Sequence, residues 1–200
     1  MSTLRARIEI IKDWRAHSMV LPALSEARVV TEKVLLTGRP GCGKTTLIKR
    51  VVNNLTRPAG GFYTEEIRDG GTRAGFKIVT LDGEEVVFAH VDLKTPEHVG
   101  KYGLDLSALE RIGVQAVREA VCQQRLVVVD EIGPMEIRSV IFRDAVNEAL
   151  DSEVPVLATI FARSLPFTDA IKCRPGVTLI EVRPDNRERL VSELSERMQG

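Results

Sequence analysis

The sequence predicts an α/β fold: a mostly parallel sheet flanked by helices and interrupted by an inserted β-meander. Three observations predict it. Gly38-Arg39-Pro40-Gly41-Cys42-Gly43-Lys44-Thr45 satisfies the phosphate-loop pattern G-x-x-x-x-G-K-[ST] and directly follows the apolar run Lys33-Val34-Leu35-Leu36-Thr37. From Lys33 onward, β-branched runs alternate with amphipathic stretches, as in βαβ units. Finally, the run Leu126-Val127-Val128-Val129 ends in two acids, Asp130 and Glu131. The carboxyl end of a parallel strand is where such sheets meet their ligands.

Taken in order, strands are predicted near 33–37, 126–130, 154–159 and 177–182, and helices over 44–54, 107–123, 136–150 and 185–198. Pro184 and Asp185 offer a cap for the last helix. Between the first two helices the texture changes. Residues 60–67, the turn Asp69-Gly70-Gly71, residues 74–81, Asp82-Gly83 and residues 85–90 read as a meander. The acidic strand therefore need not neighbour the phosphate-loop strand. Residues 91–106, with Pro96, Gly100 and Gly103, read equally as a mobile lid or a plain surface connection. Residues 1–30 read as an N-terminal extension to a single domain at 31–200. Ile8, Ile11 and Trp14 would share one helix face there, and Pro22 would end or kink that helix.

A chain of 200 residues that is 44% hydrophobic suffices for one such domain. Its 28 basic side chains balance 28 acidic ones, so no overall field draws it to nucleic acid or anionic lipid. No apolar run approaches a membrane span and residues 1–7 lack a following signal-type apolar stretch, so a cytoplasmic protein is expected, monomeric or in a small homo-oligomer. Cys42, Cys122 and Cys173 form no C-x-x-C pair and read as reduced thiols. Cys42 reads first as a small loop residue and second as an oxidisable thiol beside Lys44. His17, His90 and His98 lack ligand spacing, so no metal beyond Mg²⁺ is expected.

The motif carries its own chemistry. Its glycines let consecutive amides point at the β- and γ-phosphates, and the helix starting near Lys44 adds its positive end. Lys44 reaches phosphate oxygens, Thr45 completes the coordination of Mg²⁺, and Asp130 holds the same ion through water. Glu131, one residue on, is placed to polarise a water in line with the γ-phosphate. Cationic groups for the transition state are available at Arg39, Arg68, Arg73, Arg163 and Arg174, of which Arg39 and Arg163 are the best placed. Thr159 reads first as a strand filler and second as a hydroxyl that senses the γ-phosphate.

Beyond the motif, TGRPGCGKTTLIKR, GFYTEEIRDGGTRAGFKIVTLDG, VGKYGLDLSALE, VVVDEIGPME and PDNRERL resemble the thermophile-type nucleoside-triphosphate phosphatase family, from about Lys33 to the C-terminus. The resemblance implies a P-loop hydrolase with a RecA-like sheet, Mg²⁺-dependent hydrolysis of triphosphates to diphosphates, and tolerance of the base. It puts nucleotide contacts on Gly38, Arg39, Pro40, Gly41, Cys42, Gly43, Lys44, Thr45 and Thr46, and on Asp130, Glu131, Ile132 and Gly133. Asn186 and Arg187 would flank the base, or simply begin an exposed helix. Family members commonly have a basic residue at the position of Pro134 and an uncharged or acidic one at that of Arg39. Two alternatives stay open: a kinase for a nucleoside, nucleotide or polynucleotide end, and a nucleotide-gated binding module with slow hydrolysis.

Overall fold

A computed structural model describes residues 31–199; the reading of residues 1–30 lies outside them. Nine strands form one sheet in the order β5-β6-β4-β3-β2-β7-β8-β1-β9. The strands are β1 (Lys33–Thr37), β2 (Ala59–Asp69), β3 (Thr72–Thr80), β4 (Glu85–His90), β5 (His98–Val99), β6 (Tyr102–Leu104), β7 (Leu126–Ile132), β8 (Val156–Ile160) and β9 (Val177–Glu181). The half from β2 through β7, β8 and β1 to β9 is parallel. The half from β2 out to β5 is antiparallel, and is the expected meander extended by a short hairpin.

Strand alternation sorts the core to the two faces of this sheet. Val34, Leu36, Leu126, Val128 and Leu157 pack with Leu47, Ile48 and Val51 of α1 (Lys44–Asn54) and Leu190, Val191, Leu194 and Met198 of α5 (Arg187–Gln199). Leu35, Val127, Val129, Ala158 and Phe62 face α2 (106–122) and α3 (Val140–Asp151) on the other side. α2 is continuous through three geometries: Leu106–Ala108, a π-helical stretch Leu109–Val114, and Gln115–Cys122. Asp105 caps it, with Oδ1 accepting from the Ala108 amide at 2.9 Å.

The helix expected over 136–150 breaks at Ser139. Glu136–Arg138 forms a 3₁₀ turn, and α3 (Val140–Asp151) starts anew with the Ser139 hydroxyl accepting from the Phe142 amide at 3.0 Å. The sequence reading also missed α4 (Pro166–Lys172), which starts with proline in its first turn, where no amide partner is needed. At the amino end of the sheet, the buried Lys33 ammonium donates to Ala149 O at 3.1 Å, Ser152 O at 2.9 Å and Val154 O, closing the C-terminal end of α3. Burial pulls that ammonium down to about 8.

Of the two readings of 91–106, the structure supports the surface connection. The segment supplies the outer hairpin β5–β6, and five strands separate β6 from β1. Glu97 there accepts from Arg138 Nε at 3.0 Å and Nη2 at 2.7 Å, tying the sheet edge to the turn after β7.

Candidate functional site

β1 ends at Thr37 and the chain turns back through Gly38–Gly43 into α1. Gly43 occupies the N-cap with φ 96°, a left-handed value that glycine takes without Cβ strain, and no side chain caps the helix. The first amides of α1 thus have no side-chain acceptor, the arrangement that leaves helix N-terminal donors available to an anion. Lys44 folds back along the loop, with Nζ donating to Gly38 O at 3.3 Å. Arg39, Pro40, Gly41 and Thr46 are exposed, whereas Cys42, Lys44 and Thr45 are half-buried.

β8 lies between β1 and β7, as the meander allowed. This puts Thr159 beside Asp130, and the Thr159 hydroxyl donates to Asp130 Oδ1 at 2.5 Å. Asp130 is 2% exposed, and its Oδ2 has no hydrogen-bond partner. Burial raises the Asp130 carboxyl above its ordinary range, opposed by the Thr159 and Thr45 hydroxyls and by the Lys44 and Lys49 charges. Glu131 is raised by the same desolvation, with Lys44 pulling it down and Asp130 pushing it up.

A third acid completes the group. Glu136, buried in the 3₁₀ turn, is pushed up to about 8 by burial, then by Glu131 and Asp130. Gly133 is the spacer between the acids: a Cβ on it would stand 3.0 Å from Glu136 Oε2 and 3.4 Å from Glu131 Cδ. Ile132, expected among the nucleotide contacts, buries its side chain in the core, so only its backbone is available to a ligand. The sequence gives no direct sign of Glu136 in the site, because its apolar periodicity reads as part of one regular helix over 136–150. The helix-capping serine three residues later was the available signal.

The arginine candidates separate clearly. Arg68 and Arg73 are both bound to Glu66 on the β2–β3 hairpin. Arg174 is tied to Asp151 and Asn147 at the amino end of the sheet, away from the loop. A cavity of about 410 Å³, bounded by Asn147, Phe167 and Arg174, also lies at that end, remote from the acids. Arg163 follows β8 with no ion pair among the described residues, and Arg39 lines a smaller cavity beside the loop. Asn186 is structural: Nδ2 donates to Glu181 O at 2.9 Å, and Oδ1 accepts from the Arg183 amide at 2.8 Å. Arg187 lies against the loop, with Nη1 2.7 Å from where a Gly43 Cβ would be. The cysteines are free, and among the described residues no three His, Cys, Asp or Glu side chains are placed together so that they could share a metal ion.

A phosphate loop after β1, an acidic strand two positions away and a threonine from the strand between them define a P-loop NTPase with a RecA-like sheet. Residues 33–195 match the family model described as NTPase, and the chain belongs to that family. It is 52% identical over 162 residues to the nucleoside-triphosphatase THEP1 of Thermotoga petrophila, covering 81% of this chain and 90% of that protein. The crystal structure of THEP1 from Aquifex aeolicus superposes with a TM-score of 0.76 at 36% identity, over 84% of this chain and 99% of that one. The solution structure of a human cancer-related nucleoside triphosphatase gives 0.72 at 36% identity, over 84% and 98% respectively.

Proposed function

We propose that the chain is a Mg²⁺-dependent phosphatase that hydrolyses ATP, GTP, CTP and UTP to the diphosphate and phosphate, working in the cytoplasm with little preference for the base. The observation that carries this is the buried Asp130 carboxylate. One oxygen is held by Thr159 and the other has no protein partner, close to Thr45 and Lys44. An unpaired buried oxygen is costly unless a ligand satisfies it. Oxygen donors from a carboxylate and a hydroxyl suit Mg²⁺, which Thr45 and Asp130 would hold. When bound, the ion polarises phosphoryl oxygens and neutralises their charge.

The chain's own groups supply the rest. The Gly38–Thr46 amides and Lys44 bind the phosphate tail and stabilise the charge that develops on it. Burial raises the proton affinity of the Glu131 carboxyl, which makes it a stronger acceptor for a proton of the attacking water. Main-chain and phosphate contacts read no base, which accounts for the breadth.

Phosphate release from ATP, GTP, CTP and UTP, measured with and without Mg²⁺, tests the reading. Release from all four that requires the metal supports it. No release from any of them, or transfer of the γ-phosphoryl to an acceptor, overturns it.

A further inference from the structure

Glu131 stands at a gap in the strand pairing. The register of β7 with β2 ends at Asp130, opposite Tyr63, and the register with β8 passes from Val129 directly to Ile132. Asp130 and Glu131 together stand opposite the single residue Thr159, the two-against-one count of a β-bulge, a device that re-aims side chains beside active sites. The orientation of Glu131 is therefore left to the residues that follow it. We propose that Glu136 is a positioning residue for hydrolysis, holding the Glu131 side chain in one orientation across Gly133. The inference rests on Glu131 taking a proton from the attacking water, as above.

The segment that carries Glu136 is anchored along its length. The Phe161 amide donates to Ile132 O at 3.1 Å, and the Ile137 amide donates to Gly133 O at 3.1 Å. The Ser139 hydroxyl donates to Glu110 Oε1 at 2.7 Å, joining the turn to the π-helical part of α2. Arg143 Nη1 donates to Ile137 O at 3.4 Å. Glu136 thus extends from a fixed backbone, and its burial leaves the side chain little room for another rotamer.

The two glutamates meet where Gly133 lacks a side chain. Glu136 Oε2 lies 3.0 Å from the place of a Gly133 Cβ, and Glu131 Cγ and Cδ each lie 3.4 Å from the same point. Two ionised carboxylates packed this closely would repel. Burial pushes Glu136 up to about 8, so it holds its proton at neutral pH and presents Glu131 with an uncharged polar edge. The Gly133 and Glu136 amides face the same carboxyl and oppose the rise. Glu136 therefore supports the base from the side without competing for its charge.

A double-mutant cycle on phosphate release from ATP with Mg²⁺, measured on the full chain beside a thermal melt, tests the role. Glu136→Leu, close in volume and without polar atoms, is expected to lower kcat about tenfold or more and to leave KM within about threefold, since the phosphate loop is untouched. Glu136→Asp, whose carboxyl is drawn back by one methylene, is expected to behave alike and serves where the leucine variant does not fold. Glu136→Gln keeps the shape and the polar edge and is expected to recover kcat to within a few-fold of the wild type. In a Glu131→Gln background, Glu136→Leu is expected to change the residual rate by less than about twofold, because the group it positions is gone. A wild-type kcat in the folded leucine or aspartate variant, a glutamine variant as impaired as the leucine one, or the same fold-loss in both backgrounds overturns the inference and leaves the phosphatase reading standing. No phosphate release by the wild-type chain overturns that reading, and this inference with it.

Discussion

Thr159 and Asp130, on neighbouring parallel strands, are joined by a 2.5 Å hydrogen bond from the hydroxyl to Oδ1. With the Thr45 hydroxyl, it favours the ionised form of a carboxyl buried to 2% exposure. Thr159→Val keeps the shape and removes the donor. Turnover should then need more Mg²⁺, with a loss on the order of 10- to 100-fold in metal affinity or activity, as for other groups that orient metal ligands. Thr159→Ser should restore most of it. A Mg²⁺ titration of phosphate release checks both variants.

Gly133 separates the two glutamates. An alanine Cβ there would crowd Glu136 Oε2 at 3.0 Å and the Glu131 side chain at 3.4 Å, both of them ends of flexible side chains. Gly133→Ala should therefore fold with a thermal midpoint near that of the wild type, yet lower kcat by about tenfold or more through misplacement of Glu131. Steady-state kinetics beside a thermal melt check it. Normal kcat in the folded variant would show that the glutamate positions tolerate displacement.

Glu136 links the site to stability. Its folded value of about 8 stands above the ordinary 4.5, so the folded chain holds this proton more tightly than the unfolded chain. The associated stability is fully present below pH 4.5 and is lost as pH rises through 8. The slope approaches about 1.4 kcal/mol per pH unit within that window. Asp130 and Glu131, also raised, contribute in the same direction. Glu136→Gln should flatten the decline and make the metal-free protein more stable than wild type at pH 8.5. Urea denaturation at pH 5 and pH 8.5, in chelator, measures the difference.

What the sequence revealed was whatever is local along the chain. The loop glycines, Lys44 and Thr45 are fixed by contiguous spacing, and the acids by the apolar run that precedes them. The hairpins of the meander were legible because Asp-Gly pairs mark their turns. What required the structure depends on pairing between distant segments. Thr159 meets Asp130 only because β8 lies between β1 and β7, and strand order leaves no local mark on sequence. Glu136 turns inward only because Ser139 caps a new helix, converting the preceding turn to 3₁₀ geometry. Arg174, plausible by its place near a strand, proves to sit at the start of β9 rather than at its ligand-facing end. Asn186 and Arg187 are adjacent in sequence yet separate in role: one holds the backbone, and the other lies on the phosphate loop.

Hydrolysis depends on Glu131 as the acceptor of the water proton, and a single-turnover experiment with γ-labelled ATP and Mg²⁺ measures that dependence. The wild-type chain should release labelled free phosphate, whereas Glu131→Gln should bind ATP with near-normal affinity and release phosphate at least about 100-fold more slowly. Release at the wild-type rate by Glu131→Gln would contradict the role given to that carboxylate.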